Sequence, residues 1–160
     1  MSFTNTTLQD SPDLGAGEVI KASPYNVSAF ELFEDGLIEG RFCKFDGGQI
    51  DKLDGSTPLV IAGIVKRKIT GEIGTGIYST SGMEIDQVAE VINFGFATVT
   101  VTGTADPSKY DAVNVINTAT ADAGKATDAA VASGIISAGD VVFWEQKATG
   151  VWLVRFNKYL

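Results

Sequence analysis

Twenty carboxylates, one thiol and two indoles are the side chains of this sequence whose types could do chemistry. Histidine is absent. Ser-His-Asp and Cys-His catalysis both need an imidazole, so both are excluded. A lone cysteine makes neither a Cys/His zinc cage nor an intrachain disulfide. Cys43 falls inside an expected strand with no base to activate it, and reads as a small core residue. Asp46, Asp51 and Asp54 stand near glycines, as calcium-loop ligands do. The loop spacing and its closing Glu are missing, so they read as solvated turn carboxylates. Gly71-Glu72-Ile73-Gly74-Thr75-Gly76 is glycine-rich, but no Lys-Ser/Thr follows, which argues against a phosphate loop. Paired carboxylates for sugar hydrolysis stay open, because nothing marks one pair among the twenty. For Trp144 and Trp152 core packing is the default, and a sugar-stacking platform is the alternative. No catalytic set, cofactor or metal is expected.

The elements that would position these residues are β-strands. The 160 residues suffice for one domain, or one domain with an arm. Val (15), Ile (13) and Thr (15) far outnumber Leu (8), and β-branched side chains favour pleated sheets over helices. Strands are expected at Glu18 to Lys21, Arg41 to Phe45, Leu59 to Lys66, Gln87 to Thr102 and Ala112 to Ile116. Gly63 inside its strand suggests a bulge or a close backbone approach. In Ala97 to Thr102 apolar residues alternate with Thr, the pattern of a sheet with one buried and one wet face. Asn93-Phe94-Gly95 is a hairpin turn or a bulge. The chain closes in a hairpin, Val141 to Lys147 and Val151 to Phe156, around Ala148-Thr149-Gly150. Trp152, Val154 and Phe156 share its core face.

Two segments read otherwise. Ser28-Ala29-Phe30-Glu31 fits a capping box and predicts a short helix over Ala29 to Asp35, ended by Gly36. The stretches Gly71 to Gly82 and Thr118 to Ser133 are expected loops. Altogether this predicts a mainly β fold, an antiparallel barrel or jelly-roll-like sandwich spanning residues 18–160. No internal repeat of about 20–50 residues is visible.

Residues 1–17 are polar and aperiodic, an extended N-terminal arm with Phe3, Leu8 and Leu14 as its larger apolar residues. A frayed end and an arm that orders on a partner subunit are its two readings. The net charge is −8 and no basic cluster exists, which argues against nucleic-acid binding. The longest apolar run, Leu59 to Ile64, is too short to span a membrane as a helix. The opening Met1-Ser2-Phe3-Thr4-Asn5 lacks the features of an export signal.

In order along the chain, five segments carry a resemblance. They are Gly17-Glu18-Val19-Ile20-Lys21-Ala22-Ser23-Pro24-Tyr25-Asn26-Val27, Gly36-Leu37-Ile38-Glu39-Gly40-Arg41-Phe42, Ala62-Gly63-Ile64-Val65-Lys66-Arg67, the strand pair around Val88 to Val101, and Gly150-Val151-Trp152-Leu153-Val154-Arg155-Phe156-Asn157. Together they resemble the structural cement proteins that decorate the capsids of tailed bacteriophages. The resemblance implies a non-enzymatic virion protein on the capsid exterior, made in the host bacterial cytoplasm. Its implied partners are the major capsid protein and further copies of itself, as a dimer or trimer. Phe3, Leu8 and Leu14 are then the expected capsid or inter-subunit contacts. A phage tail or baseplate subunit and a carbohydrate-binding module are the alternatives.

Overall fold

The computed structural model describes residues 15–20, 24–57, 59–67 and 88–157. Among them there is no helix, and ten strands form two antiparallel five-stranded sheets. The first sheet contains β1 (Asn26–Glu31), β2 (Phe42–Asp46), β3 (Gln49–Lys52), β4 (Ile61–Val65) and β5 (Val88–Phe94). The second contains β6 (Phe96–Thr100), β7 (Ala112–Ile116), β8 (Ala126–Thr127), β9 (Ile135–Ala148) and β10 (Val151–Phe156). The mainly β, antiparallel expectation holds.

The strand order is β1-β5-β4-β2-β3 in one sheet and β6-β10-β9-β7-β8 in the other. The second half of the chain therefore repeats the topology of the first. The two also close alike. Leu32, just past β1, bridges Ile50 of β3 in parallel, and the Phe33 N–H donates to the Ile50 carbonyl at 2.9 Å. Val101, just past β6, bridges Ala126 of β8 in parallel, and the Thr102 N–H donates to the Ala126 carbonyl at 3.0 Å. Each sheet thus curls until the chain just past its first strand meets its last edge strand, which shortens the open edges that would otherwise pair with other chains.

Alternation along the strands sorts the buried side chains. Leu32, Cys43, Ile50, Ala62, Val65, Ala89 and Val91 form one cluster, the filling of the first curl. Their strand neighbours Phe42, Ile64 and Ile92 point the other way, into a larger core shared with Val99, Val113, Phe143, Val154 and Phe156 of the second sheet. Trp152 packs on that core with its ring 5.6 Å from Phe143.

Four sequence expectations are corrected. Ala29 to Glu31 is strand, not helix: Ser28 to Glu31 pair with Val91 to Val88, and Phe30 packs against the first core. Burial of Phe30 and a full ladder on β5 outweigh a local capping box. Gly95 is neither hairpin turn nor bulge. It carries the chain from one sheet to the other at φ 95°, where a Cβ would stand 2.5 Å from the Pro24 carbonyl oxygen. The face bearing Thr98 is not wet: Thr98 is fully buried beneath the incoming N-terminal strand segment. Ala148 belongs to β9, so the last hairpin turns on Thr149 and Gly150 alone.

That incoming segment ties the sheets together. The Gly17 N–H donates to the Thr98 carbonyl at 2.8 Å, and the Ile20 N–H to the Phe96 carbonyl at 3.0 Å, so residues 17–20 extend the second sheet beside β6. On its other side the Gly17 carbonyl accepts from the Arg67 N–H at 2.7 Å. Gly40 completes the join, donating to the Val65 carbonyl and accepting from the Thr100 N–H, each at 2.8 Å. A Cβ on Gly17 would lie 2.7 Å from the Val65 oxygen, and one on Gly40 would lie 2.2 Å from the Ala16 methyl.

Gly63 shows the same closeness within the first sheet. A Cβ there would meet the Ile92 carbonyl oxygen at 2.3 Å. The β2–β4 register slips beside it, between Cys43 and Lys44, as a bulge requires. Gly17→Ala and Gly63→Ala are each expected to lower the unfolding free energy by roughly 2–4 kcal/mol. Gly47→Ala, with nothing within 4 Å, should lose only the left-handed backbone penalty of about 1–2 kcal/mol. Urea unfolding of the three variants against the parent checks the ranking.

Candidate interface

The expected anchors Phe3, Leu8 and Leu14 lie outside the described residues. What is described is the root from which that segment leaves. Gly15 and Gly17 are buried, and the Gly15 carbonyl accepts from the Thr98 hydroxyl at 2.6 Å.

The carboxylates make no metal site: no group of three or more His, Cys, Asp or Glu side chains is gathered for one among the described residues. Asp51 is buried, which corrects the reading of it as a solvated turn carboxylate, while Asp54 is exposed, as expected, but ion-paired. Lys44 is buried, and its ammonium meets Asp54 at 2.9 Å, Asp51 at 3.7 Å and the Ser56 hydroxyl at 2.9 Å. A buried ammonium needs this many partners to offset lost hydration. Hydrogen bonding to Ser56 and Lys44 holds the Asp54 carboxyl well below the usual carboxylate range, while burial pushes Asp51 up. Cys43 is the core residue expected: fully buried, its Sγ 3.6 Å from the Gly63 carbonyl oxygen, its thiol pushed up to about 12 mainly by burial.

Three surface features remain as interaction candidates. The first is an open cleft of about 330 Å³ between the sheets, lined by Leu37, Ile38, Arg41, Lys52 and Ala121. Arg41 is already committed there, donating to the Ala121 and Ala123 carbonyls at 2.7 and 3.1 Å. The second is the mouth of the first curl. Phe30 and Phe45 stack edge to face there at 5.2 Å, and Val60, whose carbonyl accepts from the Phe45 N–H, is 64% exposed.

The third is built on Trp144. Phe96 and Tyr110 contact its indole edge to face, with centroids 5.2 and 5.5 Å away. The Lys109 ammonium lies 4.2 Å from the ring centroid, and the Arg155 guanidinium 5.1 Å. With two rings and two cations around it, the indole is a poor sugar-stacking platform. Tyr110 is 60% exposed and has φ 76°, alone in the left-handed region among the described non-glycine residues. That conformation costs a bulky residue about 1–2 kcal/mol. It is held by the Tyr110 N–H, which donates to the Phe143 carbonyl at 2.7 Å.

Pairing sets this cluster apart. Lys44, Lys52, Lys66, Arg67, Lys125 and Lys147 each have a carboxylate within 4 Å. Arg41 has its two carbonyls. The other two described cations, Lys109 and Arg155, have no ion pair among the described residues, and both lie on Trp144. The nearby carboxylates are engaged: Asp111 accepts from the Ser108 N–H at 2.8 Å, and Glu145 from Lys147 at 2.6 Å. No sequence motif announced the cluster, because Lys109-Tyr110, Trp144 and Arg155 come from three separate segments.

A family model described as the XM1 gp53 minor capsid protein matches residues 3–158. The chain belongs to this family. A solved structure of the capsid of Myoviridae phage XM1 contains a chain 68% identical to this one, covering 100% of both chains at a TM-score of 0.81. No curated protein matches. The resemblance to phage capsid proteins is thereby confirmed at the level of a bacteriophage structural protein of the capsid.

Two outcomes follow from Cys43 and Asp54. Cys43 should stay unmodified by a thiol-reactive probe at pH 8 in the folded protein, and take up one label per chain in denaturant; intact-mass spectrometry reads both. For Asp54 the folded carboxyl sits below its unfolded value of roughly 3.9. Its contribution is therefore present above that pH and lost as pH falls toward the folded value. Asp54→Asn should lower stability at pH 7 and flatten the loss of stability below pH 4, read from urea midpoints between pH 2 and 7.

Proposed function

We propose that this protein is a cement protein, which binds the outer surface of a tailed-phage capsid where shell subunits meet and stabilises the mature shell. The observation that carries the reading is the match of nearly the whole chain to a minor capsid protein family. Family membership favours the capsid over the tail or baseplate alternative. The engaged faces of Trp144 weigh against a glycan-binding module.

The fold suits such a role. The bridges that close the sheets shorten the open strand edges, among the described residues, at which copies would polymerise. An acidic surface, net −8 over the chain, gives DNA no attraction. The N-terminal segment, with Phe3, Leu8 and Leu14, wraps a neighbouring subunit as a tether. Many such modest contacts over a shell add by multivalency and resist outward pressure on the capsid. The partners are the major capsid protein and other copies of this chain, and binding follows capsid expansion, which exposes the junctions.

Quantifying this chain against the major shell subunit in purified particles tests the reading. A ratio of the same order as the shell subunit is expected, and particles lacking the chain should release DNA at a lower temperature. A handful of copies per particle would point to the tail, and absence from particles would end the virion reading for this chain.

A further inference from the structure

We propose that the cluster of Lys109, Tyr110, Trp144 and Arg155 is the receptor for the N-terminal segment, residues 1–14, of a neighbouring copy of this chain. The inference rests on the cement reading above, and names the surface on which its tether docks.

The cluster has the makings of a protein-docking centre. Trp, Tyr and Arg are the residue types that dominate binding energy at interfaces. Tyr110 keeps a large aromatic side chain where the backbone favours glycine, and twelve described glycines hold the other positive φ positions. Tyr110 is nonetheless 60% exposed, so its edge-to-face contact with Trp144 leaves most of the residue uncovered. Lys109 and Arg155 are preoriented on Trp144 and lack carboxylate partners among the described residues. Arg155 is further fixed by its Nε donating to Asn157 at 2.8 Å. What would complete this surface is a segment bearing apolar side chains and carboxylates.

Residues 1–14 are such a segment. They contain Phe3, Leu8 and Leu14, the carboxylates Asp10 and Asp13, and no Lys or Arg. Aromatic and aliphatic side chains fit against Tyr110 and the edge of Trp144, while an Asp reaches Lys109 or Arg155. Fourteen extended residues reach up to roughly 45–50 Å, enough to cross to an adjacent subunit.

Going from Gly17 to Ile20 the backbone passes from Thr98 to Phe96. Phe96 is the residue that stacks on Trp144. Residues 16 and 17 form a turn, and the Gly15 carbonyl is held on the Thr98 hydroxyl, so the segment starts from the sheet junction, two residues along β6 from Phe96. From that root its reach extends to a neighbour on the shell, and a segment exchanged between copies adds the multivalent contact on which the cement reading depends. Repeated around a ring, each copy gives one segment and receives one, a heterologous closed contact.

The test uses the full-length chain with a photo-crosslinking benzophenone residue at position 8 or, separately, at position 3. Equal amounts of natural-isotope and 15N-labelled protein are mixed and irradiated, both free in solution and bound to expanded shells. Crosslinked peptides are identified by mass spectrometry. Mixed-isotope crosslinks onto the peptides carrying Lys109-Tyr110 or Trp144 are expected. Combining Tyr110→Gly with Arg155→Glu should reduce their yield at least tenfold, with an unchanged circular dichroism spectrum and melting temperature within a few degrees of the parent. Arg155→Lys should retain most of the yield. Same-isotope crosslinks alone would place the segment on its own domain and overturn the inference. So would crosslinks to the shell subunit in place of this cluster, or none at the cluster in either state; those results leave the cement reading intact. Failure of the parent chain to bind shells at all would instead sink that reading, and this inference with it.

Discussion

Three stretches of backbone meet at Gly17 and Gly40 at distances that leave no room for a methyl group. Gly17 lies between Thr98 of the second sheet and Arg67 beyond the first, and Gly40 links Val65 to Thr100. Two curled sheets could share an apolar core and still slide on one another, because dispersion is not directional. Paired N–H and C=O groups supply direction. Once buried they must all be satisfied together, so the join fixes one relative placement of the sheets. Thr98 is drawn into the same join, its hydroxyl donating to the Gly15 carbonyl and accepting from the Glu18 N–H.

Around that join the chain uses one solution twice. Each half lays down five strands in the same order and closes them by the same parallel bridge, made by the residue just past its first strand. The halves differ in their fillings. The first curl holds Leu32, Cys43, Ile50 and Val91, while the second contributes to a core that also accepts Phe42, Ile64 and Ile92 from outside the first. A closed sheet is poor at recruiting partners through its edges. Interaction is left to side-chain surfaces and to the chain outside the sheets. For a structural protein of the capsid, this separates the rigid body from the parts that bind.

Electrostatics follows the same division. The buried ammonium of Lys44 is matched within its own sheet by Asp51, Asp54 and Ser56, and serves the fold. The pair on Trp144 has no such match among the described residues. In a chain with eight more acidic than basic side chains, two cations without carboxylates are a local departure from the whole. They sit beside an exposed tyrosine whose backbone lies in the left-handed region.

The sequence by itself determined the class of the molecule. An excess of Val, Ile and Thr, with glycines between apolar runs, specifies strands and turns through local sterics, and most strand positions were legible from it. Its missing histidine and single cysteine narrowed the chemistry, and the order of its glycine- and valine-rich segments pointed to phage capsid proteins. Only the tertiary structure decided which faces are covered. Thr98 looks solvent-facing by alternation and is buried by a segment far from it in sequence. Ser28 to Glu31 looks like a helix start and becomes a strand because β5 offers a ladder. Asp51 looks solvated and is buried against Lys44. The Trp144 cluster was invisible for the same reason. Its members are separated along the chain and meet only once the sheets have closed, and a local pattern carries no record of such distant contacts.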